Sequence, residues 1–217
     1  MELNTMLGML FEGFGFSASI FLITLIGALP LGIVVALARM SKIKVISGIA
    51  QLYISIMRGT PLMLQLMAIM FGPYYIFGIS TGSDWKLIAC GIGFVLNYSA
   101  YFGEIYRSGI QSISTGQYEA AKVLGYTRSQ TFMQIILPQV VKRVLPAVGN
   151  EIITLVKDTS LAFVLGIGEM FSTAKALAAK EVSMFPYVLA ALIYWGFCLL
   201  ITAILNLIEK RMDYYHA

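Results

Sequence analysis

Residues 14–38 read FGFSASIFLITLIGALPLGIVVALA. The run opens at Phe14, closes at Ala38 before Arg39, and carries no charged side chain. A membrane-spanning helix needs about 20 consecutive apolar residues, and the apolar region of a signal peptide is shorter. Only Glu2 and Glu12 bring charge ahead of it, so the basic flank of a signal peptide is missing too. The run therefore reads as a true span. Thr24, Ala28, Gly32 and Ala36 recur every four residues and share one helix face. They form a small-residue ridge that a second helix can approach closely. Pro30 is expected to kink this helix.

The other residues agree with that reading. Across 217 residues, 59% are hydrophobic and 12% charged. A soluble domain is about 45–50% apolar and about 25% charged. Composition thus points to a membrane protein and excludes a disordered chain, collagen, a coiled coil or a disulfide scaffold. Further runs extend from about Pro61 to Phe77, Trp85 to Gly103, Val144 to Ile167 and Phe185 to Ile208. The expected fold is an all-α integral membrane protein with five spans. Ahead of the second run, Arg58-Gly59-Thr60-Pro61 forms a hinge, because Gly and Pro weaken a helix and the residue before Pro avoids the α region. The residues from about Val45 to that hinge read as a shallow amphipathic stretch.

Basic residues set the orientation. Arg39, Lys42, Lys44 and Arg58 fall between the first two spans. Arg107, Lys122, Arg128, Lys142 and Arg143 fall between the third and fourth, and Lys210 and Arg211 after the fifth. That side is read as cytoplasmic, with the N-terminus outside and the C-terminus inside. Trp85, Trp195, Tyr187, Tyr214 and Tyr215 suit interfacial anchoring.

Rare residues exclude several chemistries. The chain has two Cys, Cys90 and Cys198, and one His, His216, next to the last residue. Zinc and most redox sites need several such ligands together, and a Ser-His or Cys-His nucleophile needs a His in a pocket. The sequence holds no GxxxxGK[ST] phosphate loop.

The connection from about Gln111 to Arg143 reads as two short helices. Gly116 is expected as the first N-cap, with Glu119 at the N3 position, and Gly125 as the terminator. Thr127 and Gln130 form a capping-box pattern for a second helix, which Pro138 is expected to stop. These helices suit docking on another protein. Competing readings are a DNA-binding helix-turn-helix and an interfacial helix pair without a partner. The first lacks a third packing helix and a basic face.

Glu119-Ala120-Ala121, three residues, Gly125, nine residues, then Ile135-x-Leu137-Pro138 resembles the EAA loop of bacterial ABC importer permeases. Arg58-Gly59-Thr60-Pro61, Asn97-x-Ser99-Ala100-Tyr101-x-x-Glu104, Asn150-Glu151 and Lys157-Asp158-x-Ser160 are similar to the polar amino acid subgroup, which includes histidine, arginine, glutamine and cystine uptake systems. The resemblance covers about residues 16–208. It implies a type I importer permease in a bacterial plasma membrane, with an extracytoplasmic segment at 1–13, a permease domain at 14–208 and a cytoplasmic tail at 209–217. It also implies a second permease chain (identical or different) and two cytoplasmic ATPases holding ATP and Mg²⁺. An extracytoplasmic solute-binding protein would deliver an amino acid substrate. No cofactor is expected on this chain, and no nucleic acid. By the same resemblance Glu119, Ala120, Ala121, Gly125, Ile135, Leu137 and Pro138 would couple the ATPase to the spans.

Strongly polar residues inside spans are functional candidates. Asn97, Tyr101 and Glu104 share one face of the third span; Glu151, Thr154 and Asp158 share one face of the fourth. With Ser160, these stripes could line a solute pathway. The alternatives are an ion pair of Glu104 with Arg107, interhelical bonding by Asn97 and a structural ion pair of Asp158 with Lys157. Two other function classes remain open: a channel or carrier independent of ATP, and an intramembrane enzyme, which the lack of an intramembrane His weakens.

Overall fold

The computed structural model describes residues 2–82 and 84–212; Tyr214, Tyr215 and His216 lie outside them. All regular elements among the described residues are helical. Three helices are long and apolar enough to cross a membrane, or up to five if each of two bent helix pairs counts as one span.

Helix α1 is Leu3–Arg39, so it starts well before the apolar run and passes through Pro30 without a break. Its ridge of Thr24, Ala28, Gly32 and Ala36 is buried. The ridge meets α4, Trp85–Gln111, which itself runs past the expected end at Gly103. A side-chain carbon added to Gly32 would fall 2.8 Å from Phe102 Cβ and 3.2 Å from the Gly103 nitrogen. One added to Gly103 would fall 2.7 Å from Val35 Cγ1. Only small residues permit this approach, and close van der Waals packing is what holds helices together in lipid. The Thr24 hydroxyl is satisfied within α1 by the Ile20 carbonyl at 2.7 Å.

Helix α2, Lys44–Gly59, and α3, Leu62–Phe77, meet at 110°. Thr60 is extended (φ −125°, ψ 150°), the conformation that a following Pro favours. Along α2, Val45, Ile49, Leu52 and Ile56 are exposed, while Ala50 and Ile54 are buried. At the far end of α3, Gly78 takes φ +67° and closes the helix. The Trp85 indole N–H donates to the Met70 carbonyl at 3.1 Å, which ties the start of α4 to α3.

Beyond α4 come α5, Thr115–Val123, a single turn α6, Arg128–Gln130, and a wide π turn, Thr131–Ile136. Helix α7, Leu137–Asp158, follows directly, then a 3₁₀ run, Thr159–Leu165. Helix α8, Met170–Glu181, departs at 62°, and α9, Phe185–Met212, ends the described chain. The fourth run is thus helical from Arg128, not from Val144. It also ends in a 3₁₀ stretch closed by Gly166 at φ +67°.

The central core is built from α1, α3, α4, α7 and the 3₁₀ run, around Phe21, Leu66, Phe94, Tyr98, Phe102 and Leu155. Helix α9 buries little besides Pro186 and Ala190, and it exposes Leu192, Trp195, Leu199 and Ile204. Most of its surface is therefore left for lipid or another chain.

Candidate functional site: a capped helix and a polar groove

Ser114, not Gly116, caps α5: its hydroxyl accepts from the Gly116 N–H at 3.3 Å. A hydroxyl can take one of the orphan N–H groups of a first turn, which glycine cannot. Glu119 consequently lies in the middle of α5, away from the N3 position expected for it. Glu119 and Ala120 are exposed, while Ala121 is buried beneath them. Gly125 takes φ +81°, the Tyr126 N–H donates to the Ala121 carbonyl at 3.0 Å, and the Gly125 N–H to the Lys122 carbonyl at 3.1 Å. This pair of bonds is a Schellman end, and its left-handed residue suits glycine. Val123 and Leu124, just before the turn, are 87% and 74% exposed. The helix thus presents a rigid apolar tip.

The capping box follows. The Gln130 N–H donates to Thr127 Oγ1 at 3.3 Å, and the Thr127 N–H to Gln130 Oε1 at 2.9 Å. Pro138 does not stop the helix. It sits in the first turn of α7, where a missing N–H costs least. The π turn just before it absorbs the change of register. The Gln139 side-chain amide donates to the Ile135 carbonyl at 2.8 Å. Ile136 is buried with Ile113, Val140 and Val144, Ile135 packs against that cluster, and Leu137 is half-buried.

A second feature lies where α2, α4 and α7 meet. An open groove of about 590 Å³ is lined by Arg58, Tyr101, Glu104, Ser108 and Glu151, among others. The Arg58 guanidinium sits 5.3 Å from the Tyr101 ring centre, within cation–π range. Glu104 is ion-paired with Arg107. Of the polar residues singled out in the sequence, Arg58, Tyr101, Glu104 and Glu151 come together here. Asp158 lies apart and accepts a hydrogen bond from the Tyr98 hydroxyl at 2.7 Å. The Thr154 hydroxyl is turned to the Asn150 carbonyl and that of Ser160 to the Lys157 carbonyl, each within its own stretch of helix.

Asn97 is buried elsewhere. Its amide donates to the Met57 carbonyl at 3.0 Å and to Gln65 Oε1 at 2.9 Å. Gln65 in turn donates to the Met57 carbonyl and to Thr60 Oγ1. The Tyr53 hydroxyl adds a bond to the Leu96 carbonyl at 2.6 Å. Together they lock the α2–α3 corner onto α4 and position Arg58 over the groove. Gln65 escaped sequence reasoning, although a lone amide in an apolar run is a signal. Glu169 escaped it as well. It is fully buried and caps α8, accepting from the Phe171 and Ser172 N–H groups at 2.6 and 2.7 Å.

The model of the binding-protein-dependent transport system inner membrane component matches residues 28–214. This chain belongs to that family. As a permease it is 38% identical to the probable amino-acid ABC transporter permease protein YckA of Bacillus subtilis, over 94% of this chain and 89% of that one. It is 35% identical to the L-cystine transport system permease protein TcyB of the same organism, over 94% and 87%. Among solved structures, a chain of an amino acid ABC transporter with histidines superposes on the permease with a TM-score of 0.86, at 32% identity, over 97% of this chain and 99% of that one. The inward-facing MetNI methionine ABC transporter shares the fold, with a TM-score of 0.71 at 17% identity over 98% and 100%. The permease is therefore a multi-pass membrane protein and a non-enzymatic subunit of ABC transporter type.

Proposed function

We propose that this permease forms the translocation pathway of an ATP-driven amino acid importer in a bacterial plasma membrane. Its two bent helix pairs count as one span each, giving five, with the N-terminus outside and the C-terminus inside. Helix α5 and its Schellman turn dock in a groove of a separate cytoplasmic ATPase, which holds ATP and Mg²⁺. A second permease chain completes the pathway, and an extracytoplasmic binding protein delivers the amino acid. The substrate class is supported by the relatives at 35–38% identity, whose names specify amino acids or L-cystine.

One observation carries the coupling reading: a helix capped at both ends that exposes Val123 and Leu124 on the side rich in Lys and Arg. Capping makes the tip rigid, so displacement of a docked groove is passed to α4 and α7 instead of being absorbed. Lys and Arg placement supports the orientation. The groove of Arg58, Tyr101, Glu104 and Glu151 offers cationic, anionic and aromatic groups to a zwitterion.

Uptake into proteoliposomes tests the reading. Amino acid accumulation should require both the ATPase and ATP. Accumulation without them would instead mark a channel or carrier. Gly125→Asp should leave the permease in the membrane while ATPase copurification or uptake is lost; retention of both in that variant would remove α5 from the coupling role.

A further inference from the structure

The segment between α4 and α7 has a neck, and one side chain closes it. At the neck the two helices touch closely: a side-chain carbon added to Gly109 would fall 2.1 Å from Val144 Cγ1. Below that point, Ile113, Ile136, Val140 and Val144 form a buried cluster of their own, separate from the central core. Beside it, at the exposed edge of the groove that both residues help to line, Arg143 Nη1 of α7 donates to the Ser112 carbonyl and, at 3.0 Å, to the Ser112 hydroxyl, across 31 residues of sequence. Ser112 is the C-cap of α4. The last carbonyls of a helix lack partners within it and carry its negative end, so a guanidinium there is held by charge and by hydrogen bonds together.

We propose that Arg143 is a positioning residue for transport, a clasp that makes the ends of α4 and α7 move as one body with α5 between them. Apolar contacts are non-directional, so away from the nested Gly109–Val144 contact they offer little resistance to sliding. A hydrogen bond is directional and resists that sliding. Helix α5 follows the end of α4 directly and packs on the π turn that feeds α7. With the clasp released, a displacement of α5 is taken up by slippage of α7 past α4 where the two helices border the groove. The proposal rests on the coupling role of α5 stated above.

The test uses the whole transporter, permease with ATPase and binding protein, in proteoliposomes. It measures amino acid molecules imported per ATP hydrolysed, together with the KM for uptake. R143Q should lower the ratio several-fold, and R143K should recover part of it, because an ammonium still favours a helix C-terminus. An unchanged ratio in R143Q overturns the proposal. A raised KM at an unchanged ratio does so as well, since Arg143 would then act on the solute. If R143Q and R143K both fail to insert or lose the ATPase, Arg143 is merely structural and the proposal falls. Wild-type uptake that needs no ATPase would remove the coupling reading itself, whichever way the variants behave.

Discussion

Gly125→Ala isolates the backbone contribution to the docking tip. No atom lies within 4 Å of the position a side-chain carbon would take there, so the substitution meets no steric obstacle inside the permease. What remains is the φ of +81°. A left-handed backbone costs an L-residue roughly 1–2 kcal/mol. That corresponds to a factor of about 5–30 in the local equilibrium between the closed Schellman turn and an open one. Two amides report on the closed turn: Tyr126 N–H, bonded to the Ala121 carbonyl, and Gly125 N–H, bonded to the Lys122 carbonyl. In the permease without its ATPase, Gly125→Ala should speed hydrogen exchange at Tyr126 by that same factor of about 5–30. Affinity for the ATPase should fall far less than exchange rises, because binding follows the fraction of closed turns, which stays near one while the closed turn, the one that presents Val123 and Leu124, remains the major state. Gly125→Asn should do less on both measures, since Asn tolerates the left-handed region. Exchange that stays at the wild-type rate while affinity drops would refute the reasoning, because the added carbon would then be striking the partner. Equal losses for Ala and Asn would refute it as well.

Three further outcomes follow from the packing. Gly32→Ala, whose added carbon would crowd Phe102 Cβ at 2.8 Å, should destabilise the permease by about 1–3 kcal/mol in a thermal unfolding assay, whereas Gly8→Ala, in open space, should not. Asn97→Ala and Gln65→Ala should each cost about 1–3 kcal/mol by stranding buried polar groups. The double variant should cost less than the sum, since both belong to one network; additive losses would separate the two residues. Glu151→Gln should raise the KM for uptake without loss of ATPase copurification, and an unchanged KM would take Glu151 out of the solute pathway.

Pro138 and Asn97 are where local pattern and tertiary packing part. From its neighbours alone, Pro138 reads as a helix stop. The widened turn at Thr131–Ile136 lets it sit at the start of α7, and packing of Ile136 against Ile113 and Val144 secures that turn. Asn97, Tyr101 and Glu104 do share the face that a helical period gives them. The period cannot say which neighbour each one meets. Asn97 bonds into the α2–α3 corner, while Tyr101 and Glu104 line the groove. Gly116 was the expected cap of α5; the Ser114 hydroxyl takes that place because it can accept the Gly116 N–H, which a glycine cannot do from a side chain.

The sequence by itself determined that the chain lies in a membrane, where its apolar runs fall, that Thr127 and Gln130 cap a helix, and that a turn closes at Gly125. Each of these depends on neighbours a few residues apart or on composition summed over a run. The ridge of Thr24, Ala28, Gly32 and Ala36 was legible for the same reason, since a helix converts a spacing of four into one face. Only the tertiary structure decided that Gly103 is what the ridge touches, that Gln65 joins Asn97 and the Met57 carbonyl, and that Arg143 reaches Ser112 across the neck. Those contacts link residues far apart in the chain. Their partners are set by how close the helix backbones come, a distance that no local pattern encodes.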